Sequence, residues 1–284
     1  MYSSADDQAF AFLQRFIERE SGIVIADNKR YLLEVRLAPL MRSEGLASFR
    51  DLVAALQGAR GASLRPRIIE LMTTHETLWF RDRFPFDFFR DHLLKEHAQS
   101  NDGPLTVWSA GCATGQEPYS LSILAEEFAA MHPRSHPDVK KILATDISTA
   151  ALEVARQGVY DALALRRGMD EVRLRRFFTE SAGGWKVRPE IAARITFRPL
   201  NLLAGFPHVG KFHVIFCRNV LIYFTGDRKT DTLDRLLQAL HPGGHLVLGA
   251  SETIPEPLML KHQLARQARG GGIYRKQPAP AGRS

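Results

Sequence analysis

The stretch "VWSAGCATGQEPYSL" (Val107–Leu121) decides the fold. It opens with apolar, β-prone residues, passes through Gly111 and Gly115, and continues into "EPYSLSILAEEFAAM", which spaces apolar residues at helical intervals. The pattern is strand, glycine loop, helix. Glycines there permit positive φ and a close backbone approach to a ligand, and ligands of open α/β sheets sit beyond the carboxyl ends of the strands. The spacing is not G-x-G-x-x-G and a P-loop lysine is missing, which disfavours a phosphate cradle.

Outward from this stretch, apolar runs alternate with helical segments. "KKILATDI" and "FHVIFCRNV" read as strands, "TAALEVARQG" and "DRKTDTLDRLLQAL" as helices, and "GGHLVLGASE" as a further strand. Alternation of this kind predicts βαβ units and a mostly parallel, Rossmann-like sheet covered on both faces. The last apolar run, "GGIYRK", is expected as an edge strand. In the region about 178–200, Gly183-Gly184 between β-prone residues predicts a small inserted β subdomain. Residues 5 to about 96 read as helical, with Ser48 capping "FRDLVAALQG" and Gly58 ending it. "KEHAQSNDGP" (Lys95–Pro104) reads as a boundary loop, giving an N-terminal helical domain over 1–96 and an α/β domain over 97–284.

Composition sets the outer bounds. The chain has 284 residues, 45% of them hydrophobic, so it can bury a substantial core. It contains no apolar run long enough to span a bilayer and no signal-peptide pattern at its start. Cys112 and Cys217, both in apolar surroundings, read as buried thiols of a cytoplasmic protein, and the ten His show no metal-ligand spacing. The net charge of +7 is unevenly spread: residues 28–67 hold eight basic and three acidic side chains, and residues 165–198 hold nine and four. Such windows suit an acidic protein surface, anionic lipid or nucleic acid, or are simply solvated faces. Few aromatics interleave the first window, which argues against base stacking there.

Two acidic residues qualify the pocket. Asp146 ends the second strand, where a carboxylate can take two ribose hydroxyls as donors. The alternative is a helix cap, a task open to Ser148 as well. Glu117 opens the helix after the glycine loop. It either compensates the helix dipole or meets a ligand cation, and it would repel a pyrophosphate. A ribose-bearing, cationic ligand without phosphates describes S-adenosylmethionine, which favours a methyltransferase over a nicotinamide dehydrogenase.

Taken together and in order, "TTHETLWFRD", "WSAGCATGQEPYSL", "ATDIS", "NLL", "FCRNVLIYF" and "HPGGHLVLGASE" resemble the CheR-type chemotaxis receptor methyltransferases. The resemblance implies an S-adenosylmethionine-dependent, bacterial, cytoplasmic protein-glutamate O-methyltransferase. It would form glutamate methyl esters on the cytoplasmic helices of chemoreceptors and release S-adenosylhomocysteine, with no metal, no nucleic-acid partner and no membrane insertion, as a monomer. It also implies that "TTHETLWFRD" covers the cofactor as a lid joining the two domains. By position, His75, Thr77, Arg81, Glu117, Asp146, Asn201, Leu202, Arg218 and Asn219 are implied cofactor contacts, and Arg81 and Tyr223 are implied to act on transfer itself. His75 departs from the family pattern, since many members carry Asn there. The rival readings are a methyltransferase of the same fold acting on another substrate and a cofactor-binding signalling adaptor. The basic window at 28–67 reads as a docking face for Glu-rich receptor helices. The turn "TESAGGWK" is short, so no receptor tether is expected on the inserted module, and the tail "QPAPAGRS" is expected to be disordered.

Overall fold

The computed structural model describes residues 4–100, 103–135, 138–139, 141–267 and 272–278, so the end of the tail lies outside the described residues. The chain forms two compact units. One runs to Thr74 and takes in Tyr223–Lys229; the other comprises His75–Ile222 and the chain from Thr230 onward.

The first unit is built from helices Ser4–Ser21, Arg30–Ser43, Phe49–Gln57 and Gly61–Met72. The expected cap is present: Ser48 Oγ accepts from the Asp51 N–H, the Asp51 carboxylate accepts from the Ser48 N–H, and the chain leaves the helix at Gly58. Leu13, Ile17, Leu33, Leu37, Leu52, Leu64 and Ile68 are buried between these helices. Much of the basic window is matched within the unit. Arg30 pairs with Asp7, Arg60 and Arg67 pair with Glu44, and Arg36 donates to the Met72 carbonyl (2.7 Å). Lys29, Arg42 and Arg50 are exposed and form no ion pair among the described residues.

The second unit carries a seven-stranded sheet of β1 (Thr106–Ala110), β2 (Lys141–Asp146), β6 (Ile195–Pro199), β7 (Phe212–Cys217), β8 (Leu240–Leu248), β9 (Leu264–Arg266) and β10 (Gly272–Lys276). Its order is β6-β2-β1-β7-β8-β10-β9, and all pairs from β6 to β8 are parallel. Val107, Trp108, Ile142, Ala144, Ile215 and Phe216 are buried, as expected of central parallel strands. A second sheet, β3-β5-β4, joins Val159–Tyr160, Gly184–Val187 and Phe178–Ser181.

Four expectations are corrected. "GGIYRK" is not an edge: β10 lies between β8 and β9, antiparallel to both, and the three-residue β9 takes the edge. The inserted β subdomain is not 178–200. It recruits β3 from residue 159, while Ile195–Pro199 pairs with β2 in the main sheet, because Ile195 and Phe197 pack on the main core. The units divide at Thr74/His75 rather than at 96/97. Phe86, Phe89, Leu93 and Leu94 belong to the sheet's core, and "KEHAQS" is the end of that same helical run, with buried His97 donating from Nε2 to the Gly103 carbonyl (2.8 Å). Finally, helix does not continue through residues 73–83: Phe80, Asp82 and Arg83 adopt φ of 50°, 66° and 48°.

Candidate functional site

The parallel strands β1, β2, β6 and β7 end at the same edge of the sheet, and the loops that leave them gather most of the implied residues. After β1, Gly111 (φ 82°) and Gly115 (φ 97°) turn the backbone into helix Gln116–Met131. Only glycine suits both positions. A Cβ on Gly111 would lie 2.3 Å from Val220 Cγ2, and one on Gly115 would lie 2.9 Å from both the Ala155 Cβ and the Tyr160 hydroxyl. The Gly111 and Cys112 N–H groups donate to the Thr145 carbonyl (2.8 and 2.9 Å), which ties the loop to β2.

Asp146, buried at the end of β2, accepts from the Ala113 N–H (2.8 Å) through one oxygen and the Ser148 N–H (2.9 Å) through the other. Ser148 caps the next helix itself, accepting from the Ala151 N–H. Asp146 therefore holds the glycine loop against β2. A carboxylate at this strand end is an acceptor suited to a ligand hydroxyl.

Glu117 and Arg218 are buried and paired, Nη1 to Oε2 3.2 Å. Ser109 Oγ donates to the other Glu117 oxygen (2.7 Å). Burial raises the Glu117 pKa, and Arg218, the Ser109 hydroxyl and Arg81 pull it back. Arg218 also donates through Nη2 to the Asp82 carboxylate (2.6 Å) and the Arg81 carbonyl (2.9 Å), and its guanidinium lies over the Phe86 ring. Arg218 thus faces two carboxylates, Glu117 and Asp82, and it anchors residues 81–82 through the Arg81 carbonyl and the Asp82 carboxylate. The Trp79 N–H donates to the Arg167 carbonyl (3.1 Å) and the Phe80 N–H to Ser120 Oγ (3.1 Å), so the 79–82 segment is fastened at three points.

Arg81 is half-buried. Its guanidinium donates to the Glu76 carbonyl (3.2 Å), while the Glu76 carboxylate pairs with Arg167. Among the described residues Arg81 has no carboxylate within ion-pair distance. His75 and Thr77 are half-buried in the same segment. After β6, the Asn201 side-chain oxygen accepts from the Leu203 N–H (2.9 Å), and Leu202 is buried. After β7, Asn219 adopts φ 58°, and its Oδ1 is buried with no hydrogen-bond partner among the described residues. Tyr223 groups with the helical unit, where its carbonyl accepts from the Val24 N–H (3.0 Å). Of the six non-glycine residues with positive φ among the described residues, five (Phe80, Asp82, Arg83, Ala113, Asn219) lie in these loops. Strain of this kind clusters where a ligand must be met in one geometry.

Two residues that sequence reasoning missed organise the loops. Arg235 donates to the Leu202 and Leu203 carbonyls (3.1 and 3.0 Å), and buried Glu252 accepts four backbone N–H groups around Asn219. Neither carried a local signal; "GASE" had marked Glu252 only as a strand's end. The donor set fits S-adenosylmethionine: carboxylates at the glycine loop, no lysine for phosphates, and an orphaned buried amide oxygen able to accept from an amine or hydroxyl.

The comparisons agree. Residues 75–268 match the family model "CheR methyltransferase, SAM binding domain", and residues 8–73 match "CheR methyltransferase, all-alpha domain". Chemotaxis protein methyltransferase 1 of Pseudomonas aeruginosa is 43% identical over 274 residues, covering 96% of this chain and 99% of that protein. The chemotaxis protein methyltransferase of Vibrio parahaemolyticus is 45% identical over 249 residues, 87% of this chain and 90% of the relative. That of Escherichia coli is 35% identical over 251 residues, 87% and 84% respectively. The chain belongs to the CheR methyltransferase family and is an S-adenosylmethionine-dependent methyltransferase.

Proposed function

We propose that the protein methylates glutamate side chains on the cytoplasmic helices of chemoreceptors, acting in the cytoplasm without a metal. The observation that carries this reading is Arg81, a half-buried guanidinium beside the paired Glu117 and Arg218 with no carboxylate partner among the described residues. An unmatched guanidinium at a cofactor loop suits a carboxylate, because it offers two fixed, charge-assisted donors.

When bound, S-adenosylmethionine supplies an electrophilic methyl group on a sulfonium. His75, Thr77, Asp146, Asn201, Leu202 and Asn219 would hold it, Asp146 through the ribose hydroxyls and Asn219 through its free amide oxygen. Arg81, Glu117 and Arg218 would complete the contacts, the last two as an ion pair already formed, and residues 75–83 would serve as its cover. A glutamate carboxylate, with an ordinary pKa of about 4.3, is ionised at neutral pH and needs no general base. The protein's task is to strip water from that carboxylate and align it, so orientation dominates the barrier. Arg81 orients, and the Tyr223 hydroxyl donates near the reacting groups. Lys29, Arg42 and Arg50, exposed and unmatched in the helical unit, form the docking face for Glu-rich receptor helices.

The deciding experiment incubates the protein with methyl-labelled S-adenosylmethionine and a chemoreceptor cytoplasmic fragment. Base-labile label on receptor glutamates is expected. Label in nucleic acid, or none with cofactor bound, would overturn the reading in favour of another substrate or an adaptor.

A further inference from the structure

We propose that Glu252 is a positioning residue for methyl transfer, acting through the turn at 219–222; the inference rests on the reading of Asn219 and Tyr223 given above. Glu252 is 1% exposed. Its Oε2 accepts from the Asn219 and Gly249 N–H groups (both 2.8 Å), and its Oε1 from those of Leu221 (2.8 Å) and Ile222 (3.2 Å). No Lys, Arg or His among the described residues pairs with it, so four backbone dipoles neutralise the charge. The charge is felt nearby: the Cys217 thiol is pushed up by burial and then by Glu252.

Three of those donors lie in the turn and hold it, and the fourth, Gly249, ties Glu252 to the segment after β8. Asn219 sits at φ 58°, a conformation that asparagine tolerates but does not prefer. With the Asn219 backbone pinned, its buried Oδ1 keeps one place, and Val220 is set over Gly111 in the glycine loop. The Leu221 and Ile222 N–H groups are pinned by the other oxygen, and the next residue in the chain is Tyr223. The strand side leaves no slack. A Cβ on Gly249 would lie 2.8 Å from Glu252 Oε2 and 3.0 Å from the Asn219 N and Nδ2. Glutamine cannot replace this carboxylate, because its NH2 group would face two N–H donors. Among the described residues the hydrogen-bond partners of Glu252 are all backbone N–H groups, so it works through the turn.

The test compares wild type with Glu252→Gln, Tyr223→Phe and the double variant. Turnover on a chemoreceptor cytoplasmic fragment, calorimetric affinity for S-adenosylhomocysteine and thermal unfolding are measured on the same preparations. Glu252→Gln should unfold in one cooperative transition yet lose about 10-fold or more in turnover, with weakened product binding. The double variant should turn over at about the rate of the slower single variant, because both changes act through one turn. Turnover of folded Glu252→Gln within about twofold of wild type overturns the proposal, as do losses that multiply in the double variant. If Glu252→Gln does not fold, Gly249→Ala probes the same contact from the other side and should show the same loss; wild-type turnover there overturns it equally. Wild-type turnover in Tyr223→Phe alone removes Tyr223 from the reading. The inference then stands only if product affinity in Glu252→Gln still falls about 10-fold, and otherwise it fails.

Discussion

Arg218 and Glu117 form a buried ion pair, 3.2 Å from Nη1 to Oε2, between the loop after β7 and the first turn of the helix after the glycine loop. The resemblance implies both as cofactor contacts, and 101 residues apart they also pair with each other. Removing one partner strands a buried charge, which costs about 3–5 kcal/mol. Arg218→Met should therefore destabilise the protein strongly at pH 7. In the folded state burial already raises the Glu117 pKa, and loss of the guanidinium raises it further. A carboxyl whose folded pKa is raised favours folding more as pH falls through it. The deficit of Arg218→Met relative to wild type should therefore shrink from pH 7 to pH 5 in denaturant titrations. A deficit that grows on acidification would show that Glu117 is not the group left stranded.

His245 sets an opposite acid response. Burial, followed by the Arg275 charge, lowers its pKa to about 4. Above the unfolded pKa of about 6.5 the group is neutral in both states and contributes nothing to pH dependence. Below that value the unfolded chain takes a proton that the folded one refuses, so stability falls toward pH 4. The loss at pH 5 should be about 2 kcal/mol, at 1.36 kcal/mol per pKa unit. Urea midpoints at pH 7 and 5 for wild type and His245→Gln test this, and the variant should show the shallower slope.

Asp146→Ala should weaken S-adenosylhomocysteine binding by about 1–3 kcal/mol, since it removes an acceptor and frees the Ala113 N–H. Asp146→Asn keeps one carbonyl oxygen and should lose less. Isothermal titration in chelator measures both. Unchanged affinity in folded Asp146→Ala would reduce the residue to a loop clamp.

Arg81→Lys should lose most turnover despite the retained charge, because an ammonium lacks the two fixed donors of a guanidinium. Tyr223→Phe should slow transfer about 10-fold or more while changing product affinity far less than Asp146→Ala. Parallel binding and methyl-transfer assays separate the two effects.

His75→Asn should keep or improve turnover, since it installs the amide that many family members carry. A large loss would show that the imidazole has a task of its own here.

Much of this was legible because the signals were local. Ser48 and Asp51 form the expected cap three residues apart, and the glycine loop turns where Gly111 and Gly115 stand. The buried runs at β1, β2 and β7 form a parallel sheet, since a strand covered on both faces must be apolar throughout. The opening of "VWSAGCATGQEPYSL", with "KKILATDI" and "FHVIFCRNV", was enough to give the fold class.

What tertiary structure decided were the partners of buried polar groups and the positions of short strands. A five-residue strand has too few side chains to choose its neighbour: β10 goes inside the sheet and β6 leaves the inserted module because of what packs around them. The same holds for Glu252, 33 residues from the Asn219 N–H it holds, and for Arg235 on the Leu202 carbonyl. A buried charge takes whichever donors the folded chain brings within about 3 Å, and no spacing in the sequence encodes that distance. The sequence by itself determined a two-unit, S-adenosylmethionine-binding methyltransferase. Only the folded chain decided that Glu117 and Arg218 pair, that Arg81 has no carboxylate partner among the described residues, and that Glu252, in the loop after β8, accepts the N–H groups of Asn219, Leu221 and Ile222.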